Sequence, residues 1–358
     1  MKIIVLAGGI STERDVSLSS GAEICRALLE KGHDVFLLDV YLGLPDLTTP
    51  PEKVFTQPGH GLEIAQSVSA VEPDIEKVKA SRDSSHHGFF GPNVIDLCRI
   101  ADITFLGLHG GEGENGQIQA TFELFDITYT GSDSLGCALA MDKDVSRQLF
   151  AQAGIPIPKG ITLTKQDLVA THGSAATLGI CDFSFPLIIK PCSGGSSIGV
   201  FIVHTKAEYD TALEKVFSYE DEIIVEEYIV GREFSCAVLD GQTLPPIEII
   251  PNTGFFDYAN KYQPGATVEV CPADIPESLS QQMQALTLKA FNLLKLSVYG
   301  RADFMMDSKG QLYCLEINTL PGMTPASLFP QEAAAIGLSY PDLCQIIVDA
   351  SLALRDKR

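Results

Sequence analysis

The chain has 358 residues, enough for two or three domains at the usual ~100–200 residues each. Its 46 Asp and Glu against 25 Lys and Arg give a formal charge of −21 and a pI near 4.6. That balance argues against nucleic-acid binding, which rests on Lys and Arg neutralising phosphates, and against an anionic membrane surface, while a small anionic ligand stays open because a few local cations and metal ions can outweigh the global field.

Residues 2–7 read as a buried strand stopped by Gly8-Gly9. Val16, Leu18, Ile24, Ala27 and Leu28 then recur at helical spacing up to Gly32, and residues 34–40 form a second strand. This βαβ opening predicts a parallel sheet with ligands at the C-terminal ends of its strands. Its glycines do not follow GxGxxG, so a nicotinamide-dependent oxidoreductase is poorly supported. Residues 45–92 are rich in Pro, Gly and Ser and show one helical pattern, near 62–80. A strand over 101–108 leads into the polar loop His109–Gly116, and a helix reaching about Ala153 stops at Gly154-Ile155-Pro156. From Pro186 strands dominate, with helices expected near 206–218, near 278–296 and from Pro341. Parallel α/β followed by mostly antiparallel α+β implies at least two kinds of domain with a cleft between them. Nine cysteines lie scattered with no CxxC and no zinc spacing, as expected of free thiols in a reducing compartment. The first apolar run is too short for a signal peptide, and no run approaches the ~18–20 residues of a membrane helix. A soluble, cytoplasmic protein is expected.

Three segments carry the chemistry. In Gly300–Thr319 a turn at Asp307–Gly310 joins two strand-like runs and pairs Arg301 with Glu316 and Met305 with Leu312. One face then holds Ala302, Phe304, Met306, Tyr313, Leu315 and Ile317. The other holds Arg301, Asp303, Cys314, Glu316 and Asn318, plus Met305 and Leu312. Two carboxylates and an amide oxygen are hard ligands suited to Mg²⁺; the competing reading is a solvated face with a surface Arg–Glu pair. In Phe185–Val203 two apolar strands flank Ser193-Gly194-Gly195-Ser196-Ser197, with Lys190 at the end of the first. Such a loop lets backbone N–H groups and hydroxyls approach phosphates, although a plain hairpin tip reads equally well. In Glu222–Glu233 an apolar strand ends in carboxylates able to hold a ribose or an adenine amino group, or simply to be solvated. His109, after a parallel strand, could orient a substrate carboxylate or be structural; His86-His87 read as solvated.

Together these segments resemble the D-alanine–D-alanine ligases of the ATP-grasp superfamily. The resemblance runs in order through GGISTERDVSLSSG, HGGEGENGQIQ, TGSDSLGCALAMDK, AGIPIP, KPCSGGSSIGV, VEEYIVGREF, FFDYANKY, GRADF and EINTLPGMTPASLFP, and is weakest over 45–92. It implies an ATP-grasp fold, α/β and α+β, with an N-terminal Rossmann-like domain over 1–142, a central subdomain over 143–233 and a C-terminal one over 234–358. ATP would lie between the last two. It implies Lys143, Lys190 and Ser197 as phosphate contacts, and Glu226, Glu227 and Ile229 around adenine. Glu233 would hold the ribose, and Lys261 the transferred phosphate. Asp303, Glu316 and Asn318 match the ligands of two Mg²⁺ (or Mn²⁺), with Glu316 bridging. Glu13 and His109 match residues near the first D-alanine, and Ser196 and Tyr262 match partners that link Glu13 to a closing loop at 254–265. Arg301 and the Gly322 backbone match oxyanion donors, and Ser327 a contact to the second substrate's carboxylate. The partners expected are D-alanine and a second copy in a homodimer, with no nucleic acid or membrane. Phe256, Gly194, Glu227 and Gly111-Glu112 depart from the family's usual pattern.

Overall fold

The computed structural model describes residues 1–47, 50–57, 59–69, 73–83, 87–170, 184–195, 198–252, 265 and 267–355. The opening βαβ forms as expected: β1 (Lys2–Ala7), α1 (Arg14–Glu30) and β2 (Asp34–Asp39). After two 3-10 turns come α2 (Ile75–Ser81), α3 (Val94–Ile100) and β3 (Ile103–Leu106). The strands pair in parallel in the order β2-β1-β3. Ile3 to Ala7 are all buried, which is why β1 reads as an unbroken apolar run in the sheet centre. Gly21 lets α1 lie close on β1, since a Cβ there would stand 2.6 Å from that of Ala7. The approach lets the Ser17 hydroxyl accept from Gly8 N–H at 2.9 Å and donate to the Gly107 carbonyl at 2.7 Å. The loops after β1 and β3 are thereby tied together where the strand order reverses, the usual ligand crevice of such sheets.

Among the described residues the helical pattern near 62–80 is realised as a 3-10 turn at Leu62–Ile64 and the short α2. The helix expected to reach Ala153 is instead four: α4 (Gly111–Glu114), α5 (Gln117–Leu124), α6 (Ser134–Met141) and α7 (Lys143–Gln152). Gly116 at φ +89 turns the chain, and the carboxylates of Asp133 and Asp142 accept from Gly136 N–H and Val145 N–H, each capping a new helix.

The second sheet is antiparallel, in the order β4-β7-β5-β6. It contains β4 (Gly160–Thr164), β5 (Leu187–Pro191), β6 (Phe201–Val203) and β7 (Glu222–Glu227), with α8 (Lys165–Ala170) and α9 (Lys206–Val216) between them in the chain. Leu187, Ile189, Val203, Tyr209, Val216 and Val225 form its core. The third sheet runs β11-β10-β8-β12-β13, with β9 attached to β8. Its elements are β8 (Gly231–Leu239), β9 (Gln242–Thr243), β10 (Ile247–Pro251), β11 (Thr267–Val270), α10 (Glu277–Leu293), β12 (Tyr299–Asp307), β13 (Leu312–Asn318), α11 (Leu328–Ala335) and α12 (Tyr340–Arg355). Phe150 of α7 and Phe291 of α10 pack with Phe234 and Phe304 beneath it. The last helix returns to the first sheet, where Leu343, Cys344, Ile347 and Val348 complete the core of β1–β3.

Candidate active site

The β12–β13 hairpin forms, but not in the register expected from alternation. Arg301 stands opposite Asn318 and Asp303 opposite Glu316, and a bulge after Asp303 then pairs Phe304 with Cys314 and Met306 with Leu312. The bulge exchanges the faces beyond it: Leu312 and Cys314 join Ala302, Phe304, Met306 and Ile317 in the core, while Leu315 turns with Met305 into the cleft. The polar set survives this shift and draws closer. Arg301 donates to both oxygens of Asp303, from Nε and Nη2, at 2.8 Å each. The Ser235 hydroxyl on β8 donates to Asp303 Oδ1 at 2.7 Å, and Asn318 Nδ2 to Oδ2 at 3.0 Å. Charge-assisted bonds of this kind fix the side chains on a rigid sheet.

Across the cleft lie the cations. Lys143, the first residue of α7, donates to the Gly194 carbonyl and stands 3.3 Å from Glu316 Oε2. Lys190, the last residue but one of β5, meets Glu226 Oε1 at 2.5 Å, while Arg147 holds the other Glu226 oxygen. Burial first, and then Arg147, push the Lys190 ammonium down to about 7. Lys143 and Lys190 bring their ammonium groups into the cleft beside Glu316 and Glu226, and such local cations suit phosphate oxygens even where carboxylates line the rest of the wall. The cleft between the second and third sheets holds ≈ 320 Å³ and is lined by Lys143, Lys190, Glu226, Glu227, Ile229, Glu233, Asp303 and Glu316. Glu227 is half-buried with Lys159 4.0 Å away, whereas Glu226 is buried between its two cations.

The donors at Asp303, Glu316 and Asn318 are all oxygen, the chemistry Mg²⁺ prefers. Among the described residues no three His, Cys, Asp or Glu side chains form a closed cage. An open set of this kind fits Mg²⁺, which keeps several waters and phosphate oxygens in its shell.

The first sheet supplies the third wall. Glu13, which precedes α1, is buried, and its Oε2 lies against Gly110 and Gly195, where a Cβ would come within 2.8 and 2.9 Å. His109 is buried with Nδ1 3.0 Å from the Leu320 carbonyl and Nε2 3.0 Å from the Ser20 hydroxyl, so both ring nitrogens have protein partners. Burial pulls its pKa down, with the Glu13 charge opposing. Glu114 accepts from Gly110 N–H at 2.7 Å and Leu320 N–H at 3.3 Å; burial and then Glu13 push its carboxyl up to about 8. Gly322 and Ser327 are adjacent, a Cβ on Gly322 meeting Ser327 Oγ at 2.8 Å, and that oxygen accepts from Thr324 N–H.

Ser196, Ser197, Lys261 and Tyr262, and with them most of the 254–265 loop, lie outside the described residues. Sequence reasoning missed Arg147, Ser235 and Glu114. Arg147 follows Lys143 by four residues, one helical turn, and that spacing was the available signal. Ser235 carries none, since only strand pairing sets it opposite Asp303.

Two family models match the chain, "D-ala D-ala ligase N-terminus" over residues 2–132 and "D-ala D-ala ligase C-terminus" over 149–349. The chain is 44% identical to a D-alanine–D-alanine ligase of Pediococcus pentosaceus, over 100% of this chain and 99% of that one. It is 41% identical to one from Lacticaseibacillus casei, over 99% and 96%. Among solved structures, the D-alanine–D-alanine ligase of Bacillus anthracis complexed with ATP superposes with a TM-score of 0.75 at 31% identity, covering 100% of this chain and 98% of that one.

Proposed function

The chain belongs to the D-alanine–D-alanine ligase family, and from that premise we propose that it joins two D-alanines at the expense of ATP, releasing ADP and phosphate. The observation that carries this reading is the cleft in which Lys143 of α7 and Lys190 of β5 face the β12–β13 hairpin that bears Asp303, Glu316 and Asn318.

A carboxylate is a poor acyl donor, so an oxygen of the first D-alanine first takes the γ-phosphoryl group, forming an acyl phosphate. Phosphoryl transfer needs chiefly positioning and charge neutralisation. Lys143 and Lys190 hold phosphate oxygens, joined by Ser197 and Lys261. Glu227 and the Ile229 backbone face adenine, Glu226 lines the same pocket while tied to Arg147 and Lys190, and Glu233 takes the ribose. Asp303, Glu316 and Asn318 would hold two Mg²⁺ or Mn²⁺, which supply further charge neutralisation. Glu13 binds the first ammonium group beside His109. The second D-alanine, its carboxylate on Ser327, attacks the acyl carbon with a neutral amine, and Arg301 with the Gly322 N–H stabilises the oxyanion. Ser196 and Tyr262 link Glu13 to a loop that excludes water, which would otherwise hydrolyse the acyl phosphate. The division at 142/143 and 233/234, a homodimer, a cytoplasmic location and a role in peptidoglycan precursor synthesis belong to the same proposal. Among the described residues no helix is long and apolar enough to cross a membrane.

Incubation with ATP, Mg²⁺ and equal D-alanine and D-lactate, read by mass at pH 7, tests it. D-alanyl-D-alanine with D-alanine-dependent ADP release is expected. ADP release indifferent to D-alanine, or mainly D-alanyl-D-lactate, overturns it.

A further inference from the structure

The Gly322 N–H can face an oxyanion only while its peptide plane is held still. Glycine supplies no such restraint, since its backbone is freer than that of any other residue. Upstream, the first sheet holds the segment. Leu320 is buried, its N–H donates to Glu114 Oε1 at 3.3 Å, and its carbonyl accepts from His109 Nδ1 at 3.0 Å. Pro321 follows, its φ fixed by the ring.

Downstream the anchor is a different element. Met323 is buried, and its carbonyl accepts the hydroxyl of Tyr340, the first residue of α12. The bonds that follow lie within the segment or on the helix it leads into. Thr324 N–H donates to Ser327 Oγ at 3.1 Å, Ser327 N–H to the Thr324 carbonyl at 2.8 Å, and Gln331 Nε2 to the Ala326 carbonyl at 2.8 Å. Those contacts move with the loop. Tyr340 does not, because α12 packs on the first sheet through Leu343, Cys344, Ile347 and Val348. Glu114, His109 and Tyr340 thus tie the segment to the first sheet, which also carries Glu13, and not to the third sheet from which it leaves β13. We propose that Tyr340 is a positioning residue: through the Met323 carbonyl its hydroxyl fixes the direction of the Gly322 N–H, in register with the first substrate's site. This rests on the role given to Gly322.

The full-length variant Y340F keeps the ring and loses only the donor. One lost hydrogen bond is worth about threefold to tenfold, so kcat should fall by that factor with the KM for ATP within about twofold of wild type. A phosphinate dipeptide whose tetrahedral phosphorus copies the attacked carbon, bound beside a non-hydrolysable ATP analogue and read by calorimetry, should weaken by a similar factor. D-Alanine binding, which precedes the tetrahedral centre, should not change. A merely structural hydroxyl would lower the thermal midpoint and leave kcat and the phosphinate's affinity in place. Y340L lacks the same hydroxyl and serves if the Phe variant does not fold. Wild-type kcat and phosphinate affinity, or equal weakening of D-alanine and phosphinate, overturns the proposal. Arg301→Lys that binds the phosphinate like wild type overturns the oxyanion assignment and this proposal with it; Arg301→Lys impaired with Y340F silent overturns this proposal alone.

Discussion

Replacing Glu226 by Gln keeps the side chain's shape and removes one negative charge from between Arg147 and Lys190. The side chains concerned are 3%, 7% and 10% exposed, so water cannot screen what is left. Removing one partner of a buried ion pair costs about 3–5 kcal/mol, because the remaining charge is stranded. Lys190 has an escape that Arg147 lacks: its pKa already lies at about 7, and losing the carboxylate lowers it further. Below its new pKa the variant must bury a second uncompensated cation; above it Lys190 is neutral when folded but still protonated when unfolded, so the variant's stability rises with pH. The gap to wild type should therefore be widest at acidic pH, below the variant's lowered Lys190 pKa, and narrow towards pH 7, beyond which both chains titrate alike. Hydrogen exchange followed by mass spectrometry over β5 and β7 reads this locally. A loss of about 3–5 kcal/mol corresponds to about 10²–10⁴-fold faster exchange at pH 6. Exchange within about tenfold of wild type, with no narrowing towards pH 7, would refute the reading of Glu226 as the carboxylate that two buried cations share.

Glu316→Gln should cut turnover by about 10²–10³-fold with little change in thermal midpoint, since it removes a charge-stabilising group from the cleft and no core contact; ordinary turnover at ordinary Mg²⁺ would remove Glu316 from the metal site. Glu114 has a folded pKa of about 8 against 4.5, so its neutral form favours the fold and that contribution is lost as pH rises from 4.5 through 8. Glu114→Gln should flatten the fall of the thermal midpoint over that window, and an unchanged slope would show that Glu114 ionises freely. Gly231→Ala places a Cβ 1.8 Å from the Met306 carbonyl oxygen and must push β8 from β12 at the cleft edge. Overpacking of about 1–3 kcal/mol lowers the thermal midpoint by roughly 2–10 °C; a midpoint equal to wild type would mean the strands yield there at no cost.

The elements legible in the sequence were those whose burial is one-sided or complete. β1, α1 and β2 announce themselves through apolar runs cut by Gly8-Gly9 and Gly32, and the antiparallel sheets through alternating strands. The helices between Gly111 and Gln152 were not legible as four, because Asp133 and Asp142 look like ordinary polar positions until their carboxylates cap a helix. The hairpin was legible in its polar residues but not in its register. Tyr313 and Leu315 are as apolar as Leu312 and Cys314, so nothing in the pattern marks the bulge that exchanges their faces. Lys190 and Glu316 stood out in the strand patterns and Lys143 through the resemblance alone, whereas Arg147 on an amphipathic helix looks like a solvent-facing charge. Its partner arrives from β7, about eighty residues later, and only the folded sheet brings the two together.

The return of α12 to the first sheet bears on how the molecule is made. Its residues Leu343, Cys344, Ile347 and Val348 are fully buried against strands synthesised more than two hundred residues earlier, and Lys31 and His33 reach across to Asp342 and Gln345. During translation, at roughly 5–20 residues per second, the N-terminal sheet waits with one flank uncovered while the rest of the chain emerges. That sheet gains its last wall only once α12 has been synthesised and has left the ribosome. A chain cut short before Tyr340 would leave it exposing the apolar surface that chaperones bind, even though every residue of β1–β3 is present.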